Sequence, residues 1–370
     1  MGSIYNGAEV TIVAVAGRDP SYGLPGVRSA RRLATSFSFG LLNMTNVDWD
    51  TRRAIETSKW ASRGWTLQEE LLSRRCLYFT EREVVFSCKT GLIYEKTWLP
   101  TSSRGTRWPE GYFNATPQTV LQAYSRRRLR CEEDTLHAIS GVLDWITGDQ
   151  LRLSHLWGVV FELPSRQKID KGFDIGLRWH SLKRGRRKPG FPSWSSLGWH
   201  AEVYYSQRLG LDCLLEVWID DSYRIFNSLT PVQLKVLREQ PTHTSQCLQI
   251  TAPTFRVPVE YCDEVPACLI ELEDVEFWFQ PMWDAAPSSQ DILCTILQES
   301  RSVLLLQPKD DVDGVFERVG LFEVLSVCWF HLRAKPDKSL SVEQMRDLWQ
   351  DLMRYRDGRI PMEITTFILA

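Results

Sequence analysis

The residues best suited to chemistry lie in one tryptophan-rich block, residues 58–75, which reads SKWASRGWTLQEELLSRR. Within it, Trp65, Glu69 and Leu72 are spaced to share one face of a helix. Burial between a tryptophan and a leucine raises the pKa of a carboxylate, which suits it to act as a general acid or base or to stabilise a developing cation. Glu69 is therefore the candidate catalytic residue.

A structural role for Glu69 competes with the catalytic one. Thr66 and Glu69 have the spacing of a capping box, in which Thr66 caps the helix and Glu69 reaches back to the Thr66 N–H. The spacing alone favours capping. Glu70 points away from Glu69 around the helix, and we expect it to be solvated.

The flanking sequence predicts the elements that position this block. Residues 10–16 (VTIVAVA) form an apolar run typical of a strand buried on both faces of a parallel sheet. Helices are predicted at 51–59 and 66–73, and the alternation over 75–80 and 83–88 predicts a β-hairpin.

The rest of the chain predicts helices first and strands later. Helical spacing covers 117–127, 132–146 and 173–182, strands prevail from residue 191, and a helix is predicted at 342–355. The aromatic run at 191–199 could line a ligand pocket, but a strand packed against the helical part is the more ordinary interpretation. The predicted fold class is α+β, with domains at 1–105, 106–190 and 191–370.

The remaining charged residues each have two interpretations. Arg63 could bind a phosphate or form a surface salt bridge, and the salt bridge is favoured. The basic runs at 126–130 and 183–188 could be nuclear-import or nucleic-acid patches, but without accompanying aromatic residues a solvated helix end and loop are favoured. For the same reason no nucleic-acid partner is predicted. The six histidines are scattered and no CxxC pair occurs, so no metal site is predicted.

Composition narrows the class of protein. The formal net charge of −2 gives no global field to attract nucleic acid or an anionic membrane. The first residues lack a secretory signal and the nine cysteines are odd in number, so free thiols in the reducing cytoplasm are expected, with nuclear entry through residues 183–188 as an option. The longest apolar run, residues 321–332, is too short to span a bilayer.

The tryptophan-rich block also resembles a known family. RGWTLQEELLSRR, followed by LYFT and EVVFSC, is similar to the end of the fungal heterokaryon incompatibility (HET) domain. Upstream, IYNGAEVTIVAVAGRDPSYGLPGV resembles the helix end, strand and loop that precede this block. Downstream, AYSRRRLRCEEDTLHAISGVLDWI, FDIGLRWH and FPSWSSLGW resemble segments that follow HET domains in fungal proteins.

The resemblance implies a fold and a site. HET domains begin with a Ser-Tyr-x-Trp-Gly-type block and an Asp-x-x-Cys-Ile-x-Gln block, and neither occurs here, so residues 1–105 are expected to be the C-terminal half of an N-terminally truncated domain. HET domains are similar to TIR-type signalling domains of flavodoxin-like α/β fold, in which a glutamate serves NAD cleavage. By that analogy Glu69 is the catalytic carboxylate, and Arg63, Trp65 and Gln68 are binding residues.

Two functions follow from the resemblance. The first is fungal nonself recognition and programmed cell death signalling, with this chain as a non-enzymatic interaction module that binds other HET-domain or incompatibility proteins, or copies of itself, without a cofactor. The second is NAD cleavage, similar to that of NAD glycohydrolases, in a form that includes the missing N-terminal half. A decaying gene whose product does not fold is a third interpretation.

Overall fold

The computed structural model describes residues 2–17, 19–27, 36–45, 51–88, 91–95, 116–148, 153–162, 173–205, 214–219, 223–224, 246–262, 264–271, 276–298, 302–309, 312–323, 330–333, 347 and 360–370. The chain divides into two compact units, Met1–Gly148 and Asp149–Ala370. The predicted boundary after residue 105 lies outside the described residues, and the one after residue 190 stays a prediction.

Short helices and short strands alternate along the first unit. In chain order they are α1 (Gly2–Gly7), β1 (Thr11–Ala14), β2 (Ser36–Phe39), β3 (Leu42–Thr45), α2 (Thr51–Glu56), α3 (Thr66–Leu72), β4 (Arg75–Phe79), β5 (Val84–Cys88), β6 (Gly91–Tyr94), α4 (Pro117–Ser125) and α5 (His137–Ile146).

The sheet of the first unit has the order β1-β4-β5-β6. β1 and β4 are parallel, with Thr11 opposite Cys76, and the chain between them contains α2 and α3. A parallel pair needs such a crossover, because the chain must return to the same end of the sheet. β4 and β5 form the predicted antiparallel hairpin, which is confirmed.

The prediction that both faces of the first strand are buried is wrong. Val13 is 1% exposed, but its neighbour Ile12 is 58% exposed. Only one face of β1 packs into the core, against side chains that include Ile55, Trp60 and Tyr78. Successive strand residues point to opposite faces, so a sheet packed on one side leaves every second residue in solvent.

Helices cover the described part of the first unit that follows the sheet. α3 packs against α1 and α5, and α4 packs against α5. The helices predicted at 117–127 and 132–146 are confirmed, except that α4 ends at Ser125 and residues 132–135 form a 3-10 turn before α5. α4 begins at Pro117 as predicted, and Thr116 caps it by accepting from the Thr119 N–H.

The second unit is mainly β. Its elements are β7 (Leu153–Leu156), β8 (Val159–Glu162), α6 (Phe173–Leu177), β9 (Trp179–Ser181), β10 (Arg186–Arg187), β11 (Trp199–His200), β12 (Val203–Tyr205), β13 (Glu216–Ile219), β14 (Tyr223–Arg224), β15 (Leu248–Cys262), β16 (Val265–Glu271), β17 (Glu276–Phe279), β18 (Met282–Trp283), β19 (Asp291–Gln298), β20 (Ser302–Pro308), β21 (Val315–Glu323), β22 (Phe330–Arg333) and β23 (Glu363–Leu369). The α+β class with a β-rich C-terminal part is confirmed.

The long strand β15 organises this unit. It pairs with β19, and the pairing continues through β20 and β21 to β23, which returns to β15, so these strands close into a ring. Every second residue of β15, from Phe255 to Val259, points into the core. The same alternation in β19 buries Ile292, Cys294 and Ile296, which are all nearly inaccessible to solvent.

Several predicted elements of this unit need correction. The part predicted helical, residues 106–190, contains strands β7 to β10, and the helix predicted at 173–182 ends at Leu177 because Trp179 begins a strand. Residues 191–199 are buried, but they form turns and a 3-10 helix at Ser196–Gly198, and only Trp199 belongs to a strand, β11. The helix predicted at 342–355 lies outside the described residues, apart from position 347.

A buried ion pair lies at the centre of the described second unit. Arg318 Nε donates to Asp284 Oδ2 at 2.8 Å, and the two side chains are 0% and 1% exposed. The guanidinium also donates to the carbonyl oxygens of Leu177 and Trp179 and lies 3.6 Å from the centre of the Trp179 ring. Burial raises the pKa of Asp284, and the charge of Arg318 offsets part of that rise.

We expect Asp284→Ala to lower the free energy of unfolding of the second unit by about 3–5 kcal/mol, because Arg318 would remain buried without a counter-ion. The matched control is Arg256→Ala, which removes the exposed pair between Arg256 and Asp291 and should cost less than about 1 kcal/mol. Urea titration followed by tryptophan fluorescence measures both. Equal losses of unfolding free energy in the two variants would show that the buried pair contributes no more to stability than the exposed pair.

Candidate functional site

The predicted site lies around α3, whose first turn is built without a capping box. Trp65 precedes the helix with helical dihedral angles and without a side-chain cap. The Thr66 hydroxyl lies 2.7 Å from the carbonyl oxygens of both Trp60 and Arg63, so it donates to the preceding loop instead of accepting from the helix. The capping-box prediction is therefore wrong, because nearby loop carbonyls engage the hydroxyl.

Glu69 binds a tryptophan instead of its own helix end. Its Oε2 accepts from the indole N–H of Trp60 at 3.0 Å, and Glu69 is half-buried. Trp60 is buried in the core of the sheet, where it packs edge-on against Tyr78 with ring centres 5.8 Å apart. The carboxylate thus joins α3 to the sheet while it satisfies an indole donor that burial would otherwise leave unpaired.

Tyr5 of α1 completes the surroundings of this carboxylate. Burial raises the pKa of the Tyr5 phenol, and the charge of Glu69 and a hydrogen bond to it raise it further, while Arg63 opposes the rise. Tyr5 thus lies beside Glu69, and Arg63 lies close enough to influence the Tyr5 phenol.

Glu70 is the more deeply buried of the two neighbouring carboxylates, which corrects the expectation that it is solvated. Its Oε2 accepts from Arg127 Nη2 at 2.7 Å, and the side chains of Glu70 and Arg127 are 4% and 10% exposed. Arg127 Nη1 also donates to the Thr66 hydroxyl at 2.9 Å. The segment that follows α4 covers this face of α3, so Glu70 points into protein and not into water.

Gln68 and Trp65 lie on a different side of α3. The Gln68 side-chain amide donates to the His137 carbonyl at 3.0 Å, and a Cβ on Gly141 would lie 2.5 Å from the Gln68 Oε1. Gln68 and Trp65 line a cleft of about 660 Å³ between α1, α3 and α5, together with Asp144 and Trp145. Neither Glu69 nor Arg63 lines this cleft, so the four predicted site residues do not form one pocket.

Two adjoining clefts open where β1 and β4 end. One of about 560 Å³ is lined by residues that follow the two strands, such as Val15 and Thr80, and by the cations Arg53, Lys59 and Arg82. The other, of about 550 Å³, shares Lys59 and adds Trp60 and Arg63. The carboxyl ends of parallel strands are the usual place for a ligand in an open α/β sheet, and the cations suit an anionic one.

Sequence reasoning missed Tyr5, Trp60 and Arg127 as members of this arrangement. A signal for Trp60 was available, because a buried tryptophan needs an acceptor for its N–H and Glu69 lies in the same block. Arg127 carried no such signal, since its partner Glu70 is 57 positions away and three other arginines share its neighbourhood.

Comparison with known families identifies the first part of the chain. Residues 1–69 match the family model described as heterokaryon incompatibility protein (HET). The first part of the chain is thus similar to a HET domain, as the sequence predicted. The matched residues include Arg63, Trp65 and Gln68 and end at Glu69. No curated protein and no solved structure matches the chain.

None of the helices among the described residues has the length and apolar character of a membrane span. The described residues also contain no group of three or more His, Cys, Asp or Glu side chains arranged to hold a metal ion. The cytoplasmic location and nuclear entry through residues 183–188 stay predictions.

We expect Glu70→Ala to lower the free energy of unfolding of the first unit by about 3 kcal/mol, because it leaves the nearly buried Arg127 without its counter-ion. The matched variant is Glu69→Gln on the same helix, which retains an oxygen to accept from Trp60 and should cost less than about 1 kcal/mol. Urea titration of each protein is the measurement. A larger loss from Glu69→Gln would contradict the assignment of Glu70 as the main buried carboxylate.

Proposed function

We propose that this chain is a HET-domain protein that acts in fungal nonself recognition and programmed cell death signalling, and that it works as a non-enzymatic interaction module. Its partners would be other HET-domain or incompatibility proteins, including copies of itself. The observation that carries the proposal is the HET match over residues 1–69, within which the candidate carboxylate takes part in internal packing.

The hydrogen bonding of Glu69 supports a structural role for that residue. Its carboxylate accepts from Trp60 and lies beside Tyr5, and it lines none of the three clefts described above. A catalytic carboxylate must reach the reacting atoms. The hydrogen bond of Glu69 to Trp60 instead holds α3 against the sheet, which is a structural role.

Exposed aliphatic side chains supply a surface for association. Ile4 of α1 and Ile12 of β1 are 64% and 58% exposed, and Val10 between these elements is also exposed. Large aliphatic side chains in water favour burial against a partner, at roughly 25 cal/mol per Å² of apolar surface. β1 lies at one end of the described strand order, so a partner could cover Ile12 without displacing a described strand.

We expect Ile12→Lys to abolish co-purification of this protein with a full-length HET-domain protein when both are expressed with different tags in a filamentous fungus. The matched control is Ile364→Lys, since Ile364 is a strand residue of the second unit with 59% exposure. The control should co-purify as well as the unchanged chain. If co-expression causes growth arrest, Ile12→Lys should abolish the arrest and Ile364→Lys should retain it. No co-purification of the unchanged chain, or equal loss in both variants, would refute association through the first unit.

A second candidate function is NAD cleavage by a form related to TIR-type domains. The parallel pair β1 and β4 with its helical crossover, and the cationic clefts at their carboxyl ends, favour it. Lys59 and Arg63 would bind phosphate groups, and Trp60 would connect the cleft wall to Glu69. Glu69 would then stabilise the cationic transition state, for which its carboxylate would have to exchange the indole for the substrate.

Release of nicotinamide from NAD, followed by chromatography, distinguishes the two candidates. The interaction-module proposal expects no release above that of buffer. If release occurs, NAD cleavage at this site expects Glu69→Gln to lower kcat by about 100-fold or more, with Glu56→Gln on the exposed face of α2 as the matched control. Release that is unchanged in Glu69→Gln would exclude Glu69 as the catalytic carboxylate.

A further inference from the structure

We infer that the cleft between α1, α3 and α5 binds a neutral saccharide. We call it the three-helix cleft. It measures about 660 Å³ and lies within the first unit, and this volume is in the range of sites for small ligands. The inference goes beyond the proposed function, because neither Glu69 nor Arg63 lines the cleft and no second protein takes part.

Three helices each turn one face toward the three-helix cleft. α1, α3 and α5 pack on one another, and residues three or four positions apart on a helix lie on the same side of it. The residues that line the cleft with this spacing are Ser3 and Asn6 on α1, Trp65, Gln68 and Leu72 at α3, and His137, Ser140 and Asp144 on α5. The polar set is therefore assembled by the packing of three helices.

Gln68 is the most deeply buried side chain that lines the cleft. It is 2% exposed, and its amide donates to the His137 carbonyl at 3.0 Å. A Cβ on Gly141 would lie 2.5 Å from Gln68 Oε1 and 3.4 Å from the Cα of Gly2, so only glycine at position 141 allows the three helices to approach here. Gln68 is thus held in one orientation at the bottom of the cleft.

Two tryptophans supply apolar surface to the cleft. Trp145 of α5 is 49% exposed, and Trp65 is partly exposed. Within the described residues, neither ring has an aromatic partner and neither indole N–H has an acceptor. An exposed indole face suits the C–H face of a sugar ring, because stacking removes apolar surface of both partners from water.

Polar side chains accompany the two indoles. Ser3, Asn6 and His137 are exposed, and their side chains form no hydrogen bond to another described residue. A hydroxyl, an amide and a neutral imidazole can each donate and accept hydrogen bonds. Sugar hydroxyls have the same dual capacity, so a ligand with several hydroxyls can use these groups in either direction.

The charge of the lining disfavours a nucleotide. No described residue that lines the three-helix cleft is lysine or arginine, and Asp144 contributes a carboxylate that also interacts within the chain. The cleft at the ends of β1 and β4, in contrast, contains Arg53, Lys59 and Arg82. Phosphate groups or an acidic sugar would find no cation in the three-helix cleft, whereas a neutral saccharide needs none.

Saturation-transfer-difference NMR of the full chain tests the inference, because it detects the C–H groups of a weakly bound sugar that touch the protein. The main probes are neutral trisaccharides of glucose, N-acetylglucosamine, mannose or galactose. The comparison probes are adenosine, whose base could stack on the same indoles, and the trisaccharide of galacturonic acid, which has a carboxylate on each ring. The variants are Trp145→Ala and Asn6→Ala, and the matched control is Tyr261→Ala, an aromatic residue of the second unit with 64% exposure.

We expect at least one neutral trisaccharide to bind more tightly than adenosine and the acidic trisaccharide. Trp145→Ala should weaken this binding by about tenfold or more, because the stacking surface is lost, and Trp145→Phe should recover part of it. Asn6→Ala should weaken it by about threefold or more through lost hydrogen bonds, and Tyr261→Ala by less than about twofold. Asn6→Ala decides the matter if Trp145→Ala also lowers the melting temperature.

Three results would overturn the inference. The first is that none of the neutral trisaccharides binds. The second is tighter binding of adenosine or of the acidic trisaccharide. The third is that Trp145→Ala and Asn6→Ala bind as well as the unchanged chain, or lose no more affinity than Tyr261→Ala.

Discussion

The hydrogen bond from the Trp60 indole to Glu69 is the interaction on which the first unit depends. Trp60 belongs to the core of the sheet and Glu69 belongs to α3, so this bond sets how the helix lies against the strands. Once α3 is oriented, the residues on either side of Glu69 can reach only certain partners. Gln68 meets the His137 carbonyl of α5 and Glu70 meets Arg127, and each contact fixes the position of another segment.

One short helix thus directs three consecutive polar residues to three different parts of the unit. This explains why the predicted site residues do not converge on one pocket, since a helix turns by about 100° per residue. Trp65 and Gln68 line one cleft, whereas Arg63 lines another near the carboxyl end of β1. The cost of leaving any of these buried polar groups unpaired favours their use in packing, which supports a module that acts through its surface.

In the second unit, too, a buried polar side chain is paired with groups from neighbouring segments. Arg318 carries a charge into a β-rich core, where the Asp284 carboxylate, two carbonyl oxygens and the face of Trp179 surround it. A buried cation is tolerated only when its donors and its charge are both matched. In the second unit the ion pair and Trp179 join segments that are distant in sequence, whereas in the first unit Trp60 and Glu69 lie only nine residues apart.

Local patterns in the sequence determined the β4–β5 hairpin, the strand near residue 12 and the start of α4 at Pro117, because alternation, apolar runs and the proline ring act over a few neighbouring residues. The similarity to HET domains was likewise recognisable from the sequence of residues 63–69. Only the tertiary structure decided that Glu69 binds Trp60, that Glu70 is buried against Arg127 and that Gln68 meets the His137 carbonyl. Helical periodicity gives the angle between two side chains on a helix, but it does not say which residues those side chains meet. The partners of Glu70 and Gln68 come from segments 57 and 69 positions away in the sequence.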